Sequence, residues 1–140
     1  MYLVKQVSSV LDLPCNQVAQ IGQIIQPHIP AHGRGHRSNY SFRNMVEISI
    51  FHHMAKFGVP RKHIQRFLDD LVTSQFRWLD HEGYDGWVVL DDELRWSAGT
   101  TPDASIENME RTAPVNAAIT VDVGAIKNKI RERLGLEKVH

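Results

Sequence analysis

The sequence predicts a mainly α, α+β fold, in which helices fill the first part of the chain and short strands with a closing helix fill the rest. Three observations predict it. Apolar residues recur at spacings of three and four in separate stretches up to Leu71. Pro27-His28-Ile29-Pro30 and Gly58-Val59-Pro60 punctuate those stretches where helices must stop. After Trp78 the pattern changes to brief β-type runs between turn signals.

Tyr2 to Leu13 carries Leu3, Val4, Val7, Val10, Leu11 and Leu13, the spacing of a short amphipathic helix. Asp12 precedes Leu13-Pro14 and is expected to be the N-cap of a second helix, with proline tolerated in its first turn. Val18, Ile21, Ile24 and Ile25 form that helix's apolar side through Gln26, and Asn16, Gln17, Gln20 and Gln23 lie between them. Two short helices across a tight turn are a helix-turn-helix candidate. Ala31 to Asn39 reads as a loop whose flanks pair as a two-stranded ribbon, with Gly33 and Gly35 supplying the turn torsions. Ser41 is expected to cap a helix that buries Phe42, Met45, Val46, Ile48, Ile50, Phe51 and Met54 and ends at Phe57-Gly58. Pro60 opens the next helix, with Ile64, Phe67, Leu68 and Leu71 inward.

Beyond it, Asp80-His81-Glu82-Gly83 and Tyr84-Asp85-Gly86 are turn signals. Trp87 to Leu90 is a strand, with Leu94-Arg95-Trp96 as its expected partner across Asp91-Asp92. Ala98 to Thr112 reads as loop with at most one helical turn. Ala117 to Val123 is a second β-type run, and Asp122 or Gly124 opens a terminal helix, Ala125 to Leu134. These readings divide the chain into residues 1–79 and a small α/β element, residues 80–140.

Composition narrows the function. The chain has 140 residues, 42% of them hydrophobic, enough for a core. No apolar run approaches the ~18 residues of a membrane span, and the N-terminus lacks a signal peptide's charged and apolar regions. A soluble cytoplasmic protein is expected. Cys15 is the sole cysteine, so one chain forms neither an internal disulfide nor a cysteine zinc cluster, and its thiol is expected to be buried or half-buried. The formal net charge is zero, yet residues 1–80 hold nine Lys/Arg against five Asp/Glu, and residues 81–140 hold seven against eleven. The basic excess concentrates between His32 and Leu68. There Arg34, Arg37, Arg43, Lys56, Arg61, Lys62 and Arg66 face Glu47 alone, seven charges against one. A basic loop on a small helical scaffold is the electrostatic footprint of a nucleic-acid binder.

Gly35-His36-Arg37-Ser38-Asn39-Tyr40-Ser41-Phe42-Arg43-Asn44-Met45-Val46 resembles the wing of MerR-type transcription regulators, whose G-x-R-x-Y pattern stands here with one extra residue before Tyr40, followed by their helix opening in Y-S-x-x-[DN]-[LMV]. Met54 to Ile64, with Phe57-Gly58-Val59 at its centre, resembles that family's next signature, a helix end in L-G-[FV]. The order helix, turn, helix, wing, helix, helix agrees over residues 2–71. The resemblance implies a winged helix-turn-helix followed by two helices, binding double-stranded DNA as a homodimer. It places helix 14–26 in the major groove and wing 31–39 on the flanking backbone. Ala118 to Ile126, with the charged helix after it, resembles a tail on MerR-like proteins of toxin–antitoxin-type operons. This implies an alternative, an antitoxin-like or accessory subunit that docks a protein through its C-terminal element. Nothing after Leu79 sustains a heptad, so dimerisation, if any, uses a surface other than the family's coiled coil; paired metal-sensing cysteines are absent.

The chemistry of the expected contacts follows from the side chains. Asn16, Gln17 and Gln20 have the amides that read adenine bidentately, and they are equally ordinary polar helix surface. Arg34, His36, Arg37 and Arg43 suit phosphates or the minor groove, giving affinity and register. Tyr40 is expected to pack under the wing with its hydroxyl toward a phosphate. His28, His32 and His36 recur every four residues, but Pro30, Gly33 and Gly35 forbid the helix that would align them as metal ligands. Of the adjacent His52 and His53, one is expected at the surface and one near the core. Trp78, Tyr84, Trp87 and Trp96 are expected to seat the tail on the helices rather than to cage a ligand. Asp91-Asp92-Glu93 is explained by an acidic hairpin turn. With no nucleophile–base signature and no phosphate-binding glycine loop, neither catalysis nor a cofactor is expected.

Overall fold

A computed structural model describes residues 1–25 and 39–136. Those residues form six helices and a three-stranded antiparallel sheet, a mixed α+β fold. The expected ribbon at Ala31–Asn39 lies outside the described residues, apart from Asn39 itself.

Helix α1 (Val4–Leu11) buries Val7 and Val10. Asp12 ends it in the left-handed conformation (φ 55°), its N–H donating to the Ser8 carbonyl. This corrects the expected role of Asp12, which closes α1 instead of capping the next helix. Asp is one of the few residues besides glycine that reach this region at modest cost. Leu13 is buried in the turn, and α2 (Cys15–Ile25) follows directly, with Val18, Ile21 and Gly22 inward.

Ser41 caps α3 (Phe42–Lys56) as expected. Its hydroxyl accepts from the Asn44 N–H at 3.1 Å, and the Asn44 side chain accepts from the Ser41 N–H at 3.0 Å. Residues 44–48 are all buried in succession. A helix covered on every side carries apolar residues around its whole circumference, and α3 is packed by α1, α2, α4 and α6. Gly58 (φ 84°) turns the chain out of α3, and α4 (Arg61–Val72) buries Ile64, Phe67, Leu68 and Leu71.

Strand β1 (Trp87–Asp91) lies between β2 (Trp96–Gly99) and β3 (Ala118–Asp122), with Leu90 opposite Trp96 and Ile119. The partner strand therefore begins at Trp96, later than the sequence suggests, because Asp91 organises a five-residue turn. Its carboxylate accepts from the backbone N–H groups of Glu93 and Arg95 and from the Arg95 guanidinium. Leu94 takes φ 66° in that turn, so it cannot join a ladder. A second correction is α5 (Pro102–Glu110), a nine-residue helix where a loop was expected. Thr101 caps it, and Pro102 occupies its first turn. Asp122 caps α6 (Val123–Leu134), accepting from the Ala125 N–H at 2.9 Å.

The sheet is seated on the helices. Trp96 stands edge-on to Phe67 with ring centroids 5.3 Å apart, and its indole N–H donates to Asp70 at 3.2 Å. Buried apolar residues from both segments form one cluster, from Val7 and Met45 to Leu90, Val121 and Ile130. No described helix is long and apolar enough to cross a membrane.

Candidate nucleic-acid interface

Helix α2 is anchored on one side and open on the other. Val18, Ile21 and Gly22 hold the buried side, while Asn16, Gln17, Gln20 and Gln23 are exposed. Its C-terminal end is tied to α4 by Gln65, whose amide donates to the Ile24 carbonyl at 2.9 Å. The amide face borders an open groove of about 470 Å3. Gln17, Gln20 and Gln23 of α2 line it together with Phe51 and His52 of α3 and Arg61 at the start of α4. Arg61, Lys62 and Arg66 are exposed, as is Lys56 before them. Arg61 belongs to the basic stretch of the sequence, but its place in the same groove as the α2 amides depends on how the chain turns at Gly58 into α4.

Arg34, His36 and Arg37 lie outside the described residues. The anchor points on either side of that segment are described. Ile25 is the last residue of α2, and Asn39-Tyr40 stand on the other side of the segment. There Tyr40 forms an antiparallel bridge with Tyr2, with N–H to carbonyl distances of 2.8 and 2.7 Å. The Tyr40 ring packs against Gly22 of α2, where an added Cβ would stand 2.9 Å from its Cε1 and hydroxyl. Only 2% of Tyr40 is accessible.

Arg43, at the start of α3, faces two carboxylates, Glu47 at 3.8 Å and Asp80 at 3.9 Å. Burial pushes the Glu47 carboxyl from 4.5 up to about 7, against the pull of Arg43 and the Asn44 amide. Cys15 is exposed, which corrects the expectation of a buried thiol: Pro14 to Gln17 are all exposed, so the first turn of α2 lies outside the core. His52 is half-buried and His53 exposed. Among the described residues no three His, Cys, Asp or Glu side chains converge where a metal could be held.

A second polar centre lies away from α2. Lys127 and Arg131 of α6 are buried, and both meet Asp85, at 2.9 and 3.0 Å. Lys127 also donates to the Gly83 and Tyr84 carbonyls, and Arg131 to the His81 carbonyl and its Nδ1. Burial raises the Asp85 carboxyl, but hydrogen bonds from Arg131 and Lys127 outweigh it and the net direction is down. Burial pulls Lys127 down, and Asp85 offsets part of that. Apart from one Arg131 bond to the Asn128 side chain within α6, at 2.8 Å, the donors of this cluster go to residues 81–85, so it fastens that loop to α6.

No family model matches the chain, and no curated protein matches it.

Proposed function

We propose that the chain is a DNA-binding transcriptional regulator of MerR-like winged helix-turn-helix type. The observation that carries this reading is the setting of α2. Its amide stripe faces solvent, and the described residues flanking the basic segment both belong to that helix's surroundings: Ile25 ends it, and Tyr40 packs against its Gly22. Asn16, Gln17 and Gln20 would meet base edges in the major groove. Arg34, His36 and Arg37 would hold the flanking backbone, with Arg61 adding charge across the groove. Arg43 would reach phosphate only by leaving Glu47 and Asp80. As a two-fold dimer the protein would place its half-sites about one helical turn, roughly 34 Å, or a multiple of it apart.

The test is a fluorescence-anisotropy titration of duplex DNA across salt. With about six phosphates neutralised, log K should fall against log salt with a slope near −5. Arg34→Ala with Arg37→Ala should flatten that slope by about two, while Gln17→Ala should reduce discrimination between sequences more than overall affinity. Absence of duplex binding at low salt, or indifference to the double arginine replacement, overturns the reading.

A second reading rests on α5. Asp103, Glu107 and Glu110 lie one turn apart on its exposed side, a face suited to a basic protein. In that reading the chain is an antitoxin-like or accessory subunit. Stoichiometric co-purification with a basic partner, lost on Glu107→Lys, favours it; an unaccompanied DNA-binding homodimer excludes it.

A further inference from the structure

A recess of about 210 Å3 opens where the α1–α2 turn, α3 and α6 meet. Its apolar walls come from Leu11 and Leu13 on one side and Ile126 and Ile130 on the other. At its rim stand His52 and His53 of α3 and Lys129 of α6. The two imidazoles lie 6.0 Å apart edge to face. The acid at the rim, Asp12, is engaged by Arg133 at 2.7 Å. Among the described residues no carboxylate lies within ion-pair distance of Lys129.

From this arrangement we infer that the recess binds a small organic monoanion, a short branched-chain carboxylate in type, with its apolar body on the leucine and isoleucine walls and its carboxylate between Lys129 and the histidines. The volume is below the roughly 300–1,000 Å3 of sites for drug-sized ligands, so the body is short. The charge balance of the rim points the same way. Burial and then neighbouring cations, His53 and Lys56 for His52, Lys56 and Lys129 for His53, hold both imidazoles below their ordinary value. The rim is thus a set of groups disfavouring one another's positive charge. Asp12 and Arg133 compensate each other, and an entering anion relieves the repulsion. Binding draws protons onto the imidazoles, so affinity rises as pH falls through the histidine range. Because the walls come from α1, its turn and α6, an occupant joins the two ends of the described chain. This inference stands whether or not α2 reads DNA.

The probe is isovalerate, with isoamyl alcohol as its neutral counterpart and inorganic phosphate as a head without a body. Titrations of the full chain are followed by calorimetry and by the histidine ring signals in nuclear magnetic resonance. Saturable isovalerate binding is expected, accompanied by proton uptake, an upward movement of the His52 and His53 titrations, and a higher melting temperature. Lys129→Gln, an exposed position, should weaken it by about tenfold through loss of one charge-assisted contact. His53→Gln provides a second readout, halving or abolishing the proton uptake, should Lys129→Gln fail to fold. Equal binding of the alcohol would reduce the recess to an apolar dent. Phosphate binding as tightly as isovalerate would reduce it to a patch of surface charge. Histidine signals unmoved by isovalerate would also overturn the proposal.

Discussion

A carboxyl group enclosed by protein keeps its proton until a cation or a set of donors replaces the lost hydration. At Glu47 the replacement is partial: Arg43 stands at 3.8 Å and the Asn44 amide at 3.3 Å, and the carboxyl titrates near 7. The consequence for stability has a definite sign. Between about 4.5 and 7 the folded chain holds this proton and the unfolded chain has released it, so stability falls as pH rises through that window. The loss amounts to at most about 3 kcal/mol. Glu47→Gln should remove this fall, leaving a variant as stable as the parent near pH 5 and more stable above pH 7, as measured by urea unfolding at each pH. Gly22 offers a steric prediction. Gly22→Ala sets a methyl group 2.9 Å from the Tyr40 ring, and the displacement should cost about 1–3 kcal/mol. Adding Tyr40→Leu should recover part of that cost, since the offending atoms are then gone. Caps of this kind were legible in the sequence where the signal is local, as at Ser41 and Asp122. Cys15 and Asp12 were misread because their placement depends on neighbours. A periodic apolar pattern does not say where the first turn of α2 leaves the core, and an Asp before Leu-Pro serves the helix behind it as readily as the one ahead.

Helices and strands were legible in proportion to their own periodicity. α1, α4 and β1 carry strong patterns and lie within a few residues of expectation, whereas α3, apolar all round, was legible from its ends at Ser41 and Gly58. α5 presents only Ile106 and Met109 as spaced apolar residues, with Ser105 as the other buried position. Its Thr101-Pro102 start signal outweighs that weak pattern once the helix rests on the sheet. α6 hides a different point. Its Lys127 and Arg131 are buried against Asp85, which is more than forty positions earlier in the chain. No local pattern announces such a partner. Two ion-pair settings, one buried and one exposed, should differ sharply on mutation. Asp85→Ala leaves two buried cations without their carboxylate and should cost about 3–5 kcal/mol, toward the lower figure because Asp85 itself keeps some water contact. Asp12→Asn breaks the exposed pair with Arg133 while retaining a residue that accepts a left-handed backbone, and should cost no more than about 1 kcal/mol. Thermal unfolding of the two variants side by side gives the comparison.

At the scale of the whole molecule, the sequence suggests a division near residue 79, with helices before it and a small α/β element after it. Packing joins what that division separates. α3 is the central helix, and α6 covers part of its surface, with Ile130 and Val123 in the same apolar cluster as Val46 and Met54. Trp96 covers Phe67 from the sheet. Arg131 lies over the Phe42 ring at 5.8 Å, next to the Ser41 cap from which α3 starts. Removing residues 80–140 would therefore bare one side of a helix that has almost no polar side to offer, together with the face of α4 around Phe67. The apolar area so exposed has no substitute within residues 1–79, and a domain of that size has little stability to spare. The full chain should unfold in a single transition, with near- and far-ultraviolet circular dichroism coincident. A chain ending at Leu79 should keep helical signal but lose the cooperative near-ultraviolet transition. A truncated chain that melted sharply at its own temperature would instead make α6 and the sheet an appendage, and the buried positions of α3 facing them would then have to tolerate polar substitution in the full-length protein.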